Sequence, residues 1–378
     1  MNKTKILLLV HELSLTGAPR SILEIFEEMG EVEVRTISLD SGPFIDRYKK
    51  LGKLLVLPKL PLWGSLWNRI LRQIKLGFWR MASSWILLGW EPDLIYVNSV
   101  AALPVAKLIK LPRVPALLHV RELETEIEKH VGNDLKLLQI WPDKIVAVSE
   151  FVKKVLIEKF KVEPQKIEVV KSFIPEQRLE ALKNVEAITL QTKPFTVGGA
   201  GTISWRKGYV LWLLMAVELK NILGPGKVRF SWVGINNSIM SREFRWRAHK
   251  LGLENDVDFV RFTSDPFAIF NQFDVFASTS WEEPSGNAVL ENMVLKKPVV
   301  CFEGSGGTPE FVGDTGVIVK DFSPKAMADE IAILARSNGR IKELGRRAQK
   351  RIFDNFTSTA GFPKLKRIIF NLTQTGAA

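Results

Sequence analysis

The sequence predicts an α/β fold made of two Rossmann-like domains in tandem, each a parallel sheet covered by helices. Three observations predict it. Short runs rich in Val, Ile and Leu alternate with helical patterns along the chain; one polar stretch after Pro175 interrupts the series; and 378 residues exceed one ordinary domain but suit two.

The first set of strands is expected at Ile6–Val10, Val32–Leu39, Leu54–Leu57, Leu94–Asn98, Ala116–Val120, Lys144–Val148 and Ile167–Val170. Residues 176–193 are polar and mixed and read as a linker. A second set follows at Phe195–Gly199, Val228–Val233, Val257–Arg261, Val275–Ser278, Pro298–Phe302 and Gly316–Val319. The domains are therefore placed at 1–175 and 194–355, with 356–378 a C-terminal helix crossing back to the first. Ligands of such sheets bind beyond the carboxyl ends of the strands, so the expected site is a central cleft that both sheets face.

Composition removes several function classes. The hydrophobic fraction is 46% and the charged fraction 25%, as in a globular protein. A single cysteine, Cys301, excludes an intrachain disulfide framework and a cysteine cage for metal. The first ten residues read as a buried strand rather than a signal segment, and no run is long and apolar enough to span a bilayer. A cytoplasmic address is the expectation.

The net charge of +12 calls for an anionic partner. Nine Lys or Arg and no acid lie between Arg47 and Trp90, and Leu62–Trp90 holds five of the eleven tryptophans. Trp67, Ile70, Ile74, Phe78, Met81 and Trp85 recur at helical spacing, with Arg69, Arg72, Lys75 and Arg80 largely elsewhere. Such a helix suits the surface of an anionic membrane, where each cation contributes about 1 kcal/mol. Without a zinc, helix-turn-helix or RNA-binding signature, nucleic acid is not the expected partner.

Three loops carry the chemistry. After the first strand, His11–Pro19 holds Gly17 and Ala18 at a helix start, where backbone approaches a ligand and an anion is favoured. The second domain opens with Gly198-Gly199-Ala200-Gly201 and then Arg206-Lys207-Gly208, placing two cations beside flexible backbone to hold a diphosphate. In Ser280–Val294 a helix should begin near Ser285–Asn287, leaving Glu283 before it and Glu291 on its second turn, roughly 6 to 9 Å along. The intervening N–H groups suit a phosphate, and the two carboxylates, which only accept hydrogen bonds, suit hydroxyls on either side. That layout fits a nucleotide-sugar.

Glu283 and Glu291, separated by seven residues, give the chain a plain resemblance to the retaining GT-B glycosyltransferases of the E-x7-E family (group 1, family 4-like). Lys207-Gly208, Val148-Ser149-Glu150 and Gly306-Gly307-Thr308-Pro309-Glu310 fit the same family in the same order, over nearly the whole length. The resemblance implies that Glu283 meets the donor sugar, Glu291 the ribose, and Arg206 with Lys207 the diphosphate. It implies phosphate contacts from Ser285, Gly286, Asn287 and Ala288, with Gly201 beside them and Gly17 and Ala18 closing the other side. Arg261, Phe262 and Thr263 would lie near the base. The donor would be a UDP- or GDP-sugar, transferred with retention and without metal or other cofactor.

The chain departs from the family where Thr202 follows Gly201 in place of an arginine, whose charge Arg206 would supply, and where His119-Val120-Arg121-Glu122 stands for the usual His-Glu. His119 is the candidate contact to sugar or acceptor. Asp256-Val257-Asp258 resembles the metal-binding motif of another glycosyltransferase fold but reads as structural. The expected reaction is hexosyl transfer to a saccharide or lipid-linked acceptor in bacterial lipopolysaccharide, capsule or exopolysaccharide synthesis, on the inner face of the membrane. The alternatives are a non-catalytic scaffold of the same fold and a sugar-nucleotide epimerase. No G-x-G-x-x-G follows the first strand, against an NAD oxidoreductase.

Overall fold

The computed structural model describes residues 3–57, 77, 81, 84–107, 109, 111, 113–132, 134–183, 194–263 and 265–375. The chain divides into two compact units, one of Met1–Val170 with Phe362–Ala378 and the other of Lys171–Gly361.

In the first unit, seven strands form a fully parallel sheet: β1 (Thr4–Val10), β2 (Val32–Ser38), β3 (Leu54–Val56), β4 (Leu94–Asn98), β5 (Ala116–Val120), β6 (Lys144–Ala147) and β7 (Ile167–Val169). Their order is β3-β2-β1-β4-β5-β6-β7, so direction reverses between β1 and β4. Leu7, Leu9, Val97, Leu118 and Ile145 are fully buried, as expected for strands covered on both faces.

The second unit holds a parallel sheet of six: β8 (Phe195–Ala200), β9 (Val228–Ile235), β10 (Val257–Arg261), β11 (Val275–Ser278), β12 (Val299–Phe302) and β13 (Val317–Val319). Here the order is β10-β9-β8-β11-β12-β13, with the switch between β8 and β11. A crevice opens at such a switch, beyond the strand ends, and it positions the site described below.

Three readings of the sequence are corrected. Residues 176–183 belong to a helix, Glu176–Lys183, not to a linker, and Leu179 and Leu182 are buried with Phe270 and Phe273. Their spacing of three brings both onto one face, which outweighs the polar residues between them; residues 184–193 lie outside the described ones. Gly198 and Gly199 are in β8 rather than in a phosphate loop. A Cβ there would sit 2.0 Å from the Phe273 ring and 2.6 Å from Trp212, so these glycines make room for aromatic packing. The first boundary falls at Val170, and the return to the first unit at Phe362 within helix Ser358–Thr375.

That helix buries Leu365, Ile368 and Ile369, and it pairs Lys366 with Glu31 at 3.2 Å and Arg367 with Glu168 at 3.3 Å. Most of the Leu62–Trp90 helix expected from the sequence lies outside the described residues. Of its apolar positions, Met81 is 64% and Trp85 74% exposed, and Leu88 beside them 77%, whereas Trp90 is buried under Arg35. Among the described residues no helix is long and apolar enough to cross a membrane.

Candidate functional site

The second unit's site is assembled from the loops that leave β8 and β11. After β8 the chain makes a short turn, Trp205–Lys207, and enters helix Tyr209–Leu223 through Gly208. Gly208 has φ 61°, and a Cβ on it would lie 1.9 Å from the Thr279 carbonyl oxygen. Glycine alone permits both the turn and that approach. Thr279 Oγ1 donates to the Lys207 carbonyl at 3.2 Å, and the Trp281 amide donates to the Arg206 carbonyl at 2.7 Å. The two loops are thereby laced together.

Lys207 crosses Gly201 and makes an ion pair with Glu283. Ser280 Oγ donates to the same Glu283 oxygen at 3.2 Å. Glu283 is fixed by its backbone as well, its amide donating to Ser305 and its carbonyl accepting from Gly307 at 2.8 Å. The Gly306-Gly307 motif thus acts as a rail for Glu283. Arg206 lies alongside, one guanidinium nitrogen donating to the Glu282 carbonyl at 3.3 Å.

Helix Asn287–Val294 starts at Gly286, φ 82°, with no side-chain cap. Lys207, Ser280, Glu283, Gly286 and Ala288 line one small cavity over the ends of β8 and β11. One cation, Lys207, a carboxylate and the positive end of a helix therefore converge there, while Arg206 is held beside the site on the Glu282 carbonyl and does not line the cavity.

Glu291, on the second turn, is 4% exposed and accepts from Arg178 Nη1 at 2.6 Å. Both side chains are almost fully buried. Sequence reasoning missed Arg178 because it stands in the stretch taken for a linker. The available signal was Pro175 followed by Glu176 and by Leu179 and Leu182 at helical spacing. Arg261, Phe262 and Thr263 do not line the cavity; they leave β10, with Arg261 donating to Asn237 at 3.1 Å. The acids of 256–258 face cations, Asp256 paired with Lys220 and Asp258 with Arg229, each at 2.7 Å.

A second cluster lies in the first unit at the ends of β1, β4 and β5. His119 is 2% exposed, with Tyr96 Oη 2.5 Å and Arg121 Nη2 3.4 Å from its Nδ1. Burial, and secondarily the Arg121 charge, hold its pKa well below the ordinary value, so the ring is neutral. Asn98 accepts from Arg121 Nε at 2.8 Å and donates to the Ala18 carbonyl at 3.1 Å, tying the cluster to the first turn of helix Gly17–Met29. In the loop before that helix, Glu12 is pulled down to about 2 by hydrogen bonds, led by His11 and joined by Ser14.

Residues 15–178 match the family described as Glycosyltransferase Family 4, and residues 194–337 match Glycosyl transferases group 1. The chain belongs to the group 1, family 4-like glycosyltransferases. The fold agrees: Anabaena Alr3699/HepE, solved with UDP and glucose, superposes with a TM-score of 0.75 at 21% identity, covering 99% of this chain and 98% of that one. The family's two-sheet GT-B architecture is therefore the one found here.

The poly(ribitol-phosphate) alpha-N-acetylglucosaminyltransferase of Staphylococcus aureus is 29% identical over 108 residues, 28% of this chain and 22% of that relative. A Campylobacter jejuni enzyme, the N-acetylgalactosamine-N,N'-diacetylbacillosaminyl-diphospho-undecaprenol 4-alpha-N-acetylgalactosaminyltransferase, is 22% identical over 65% of this chain and 67% of its own length.

Proposed function

We propose that this glycosyltransferase moves a hexosyl group from a UDP- or GDP-sugar to a saccharide or lipid-linked acceptor in bacterial cell-surface polysaccharide synthesis, with retention of configuration. The observation that carries the reading is the Lys207–Glu283 pair beside the start of helix Asn287–Val294. Bond breaking in such a donor builds negative charge on the departing diphosphate. On this reading Lys207, the helix N-terminus and the neighbouring Arg206 stabilise it, the role a metal plays in other folds. Glu283 accepts hydrogen bonds from sugar hydroxyls, and Glu291, oriented by Arg178, from the ribose. No side chain is assigned as general base; the leaving phosphate takes the acceptor proton on the same face.

Relatives that act on poly(ribitol-phosphate) and on an undecaprenol-linked saccharide support an acceptor held at a surface or membrane. Exposed Trp85 and Leu88 within the basic Arg47–Trp90 segment support a peripheral position on the inner membrane face. The reaction is tested by thermal-shift screening of UDP, GDP, ADP and dTDP, followed by hydrolysis assays with the sugars of the nucleotide that binds. A chain stabilised by none of the four would refute the donor class.

A further inference from the structure

Among the described residues, Arg121 carries a charge that no ion pair compensates. The acid next to it, Glu122, accepts through Oε2 from the backbone N–H groups of Val100 at 3.2 Å and Arg121 at 2.9 Å. Among the described residues no carboxylate lies within ion-pair distance of the Arg121 guanidinium, whose side-chain partners are the neutral Asn98 and His119. A half-buried cation without an anion is costly unless a ligand supplies one.

The adjacent imidazole shows the same deficit from the donor side. A guanidinium can only donate, so the His119 Nδ1 facing Arg121 is an acceptor, and the Tyr96 hydroxyl donates a hydrogen bond to it as well. A neutral ring that accepts at Nδ1 carries its proton on Nε2. That atom is buried and, among the described residues, has no hydrogen-bond partner. Two neighbouring groups thus have donors to give and positive charge to offset, an arrangement that calls for an acceptor-rich anion.

We propose that Arg121 and His119 form a binding subsite for an oxyanion borne by the saccharide acceptor, either a carboxylate or a phosphate. Arg121 supplies the charge and the planar donor fork, and the His119 Nε2–H a further hydrogen bond. Asn98 sets the guanidinium in place by accepting from its Nε while holding the Ala18 carbonyl. That the oxyanion belongs to a saccharide acceptor rests on the glycosyltransferase reading; the affinity for an oxyanion does not.

The test measures binding of methyl glucuronide, glycerol 3-phosphate and, as neutral control, methyl glucoside to the full chain by calorimetry. The expected result is a preference of about tenfold or more for at least one anion, lost in Arg121→Gln. Preference for the glucuronide identifies the group as a carboxylate, and preference for glycerol 3-phosphate as a phosphate. A smaller preference, or one surviving in Arg121→Gln, overturns the proposal. A second measurement needs no variant at Arg121: the His119 imidazole nitrogen, assigned with His119→Gln, should shift at Nε2 when inorganic phosphate is added to the wild-type chain. An unmoved Nε2 resonance is equally fatal. Sugar transfer without anion preference would remove this subsite alone, whereas anion preference without nucleotide binding would remove the donor reading alone.

Discussion

Arg178 donates to Glu291 at 2.6 Å across 113 residues of chain, joining the helix that opens the second unit's sequence to the helix at its site. Both groups are buried, so each depends on the other for compensation. Arg178→Met is expected to destabilise the second unit by about 3 kcal/mol, since it removes one partner of a buried ion pair. The double variant Arg178→Met with Glu291→Leu should recover most of that loss in denaturant unfolding. It should still bind nucleotide poorly, because the acceptor proposed for the ribose is gone; nucleotide affinity equal to wild type would remove Glu291 from the donor site.

Lys207→Ala tests bond breaking rather than binding. A cation that acts chiefly on the developing charge should lower kcat by about a hundredfold or more while donor affinity falls much less. Equal losses in the two, measured by steady-state kinetics and calorimetry, would reduce Lys207 to a ground-state contact.

Gly208→Ala adds a methyl group where 1.9 Å separates it from the Thr279 carbonyl oxygen, on a residue with φ 61°. The turn must open, with an expected cost of about 2 kcal/mol. Because the same turn aims Lys207 at Glu283, kcat should fall with stability. A variant with wild-type melting temperature and turnover would contradict this account of the turn.

His119 supplies the pH dependence. Its folded-state pKa lies below the ordinary 6.5, so the unfolded chain binds the proton more readily. Its effect on stability is nil above pH 6.5 and increasingly adverse as pH falls below that value. Unfolding free energies between pH 7.5 and 5 should therefore decline less steeply in His119→Gln than in the wild type. Parallel curves would mean that the ring titrates normally.

Trp85 and Leu88 are predicted to reach an anionic bilayer. Sedimentation with phosphatidylglycerol vesicles should retain the wild-type chain at low salt and lose most of it in Trp85→Glu with Leu88→Glu. No retention of the wild-type chain at low salt would sink the membrane reading.

The sheets were legible because strands buried on both faces are near-continuous apolar runs: β4, β5, β10 and β11 have the boundaries expected from sequence, and the others shift by one or two residues. Glu283 and Lys207 were legible through spacing and turn chemistry. Their mutual ion pair was not, since 76 residues separate them and no local pattern encodes a tertiary contact. Arg178 was hidden for the same reason. Gly198 and Gly199 misled because a glycine admits a phosphate and an aromatic ring through the same missing Cβ.

The first unit is assembled from two pieces of chain, with all of Lys171–Gly361 between them. During synthesis, residues from Phe362 onward leave the ribosome only after the second unit has emerged in full. The nascent second unit can therefore reach its native contacts first, while the earlier-made part of the first unit waits for the segment that carries Leu365, Ile368 and Ile369. The first unit, begun first, is then the last to be completed.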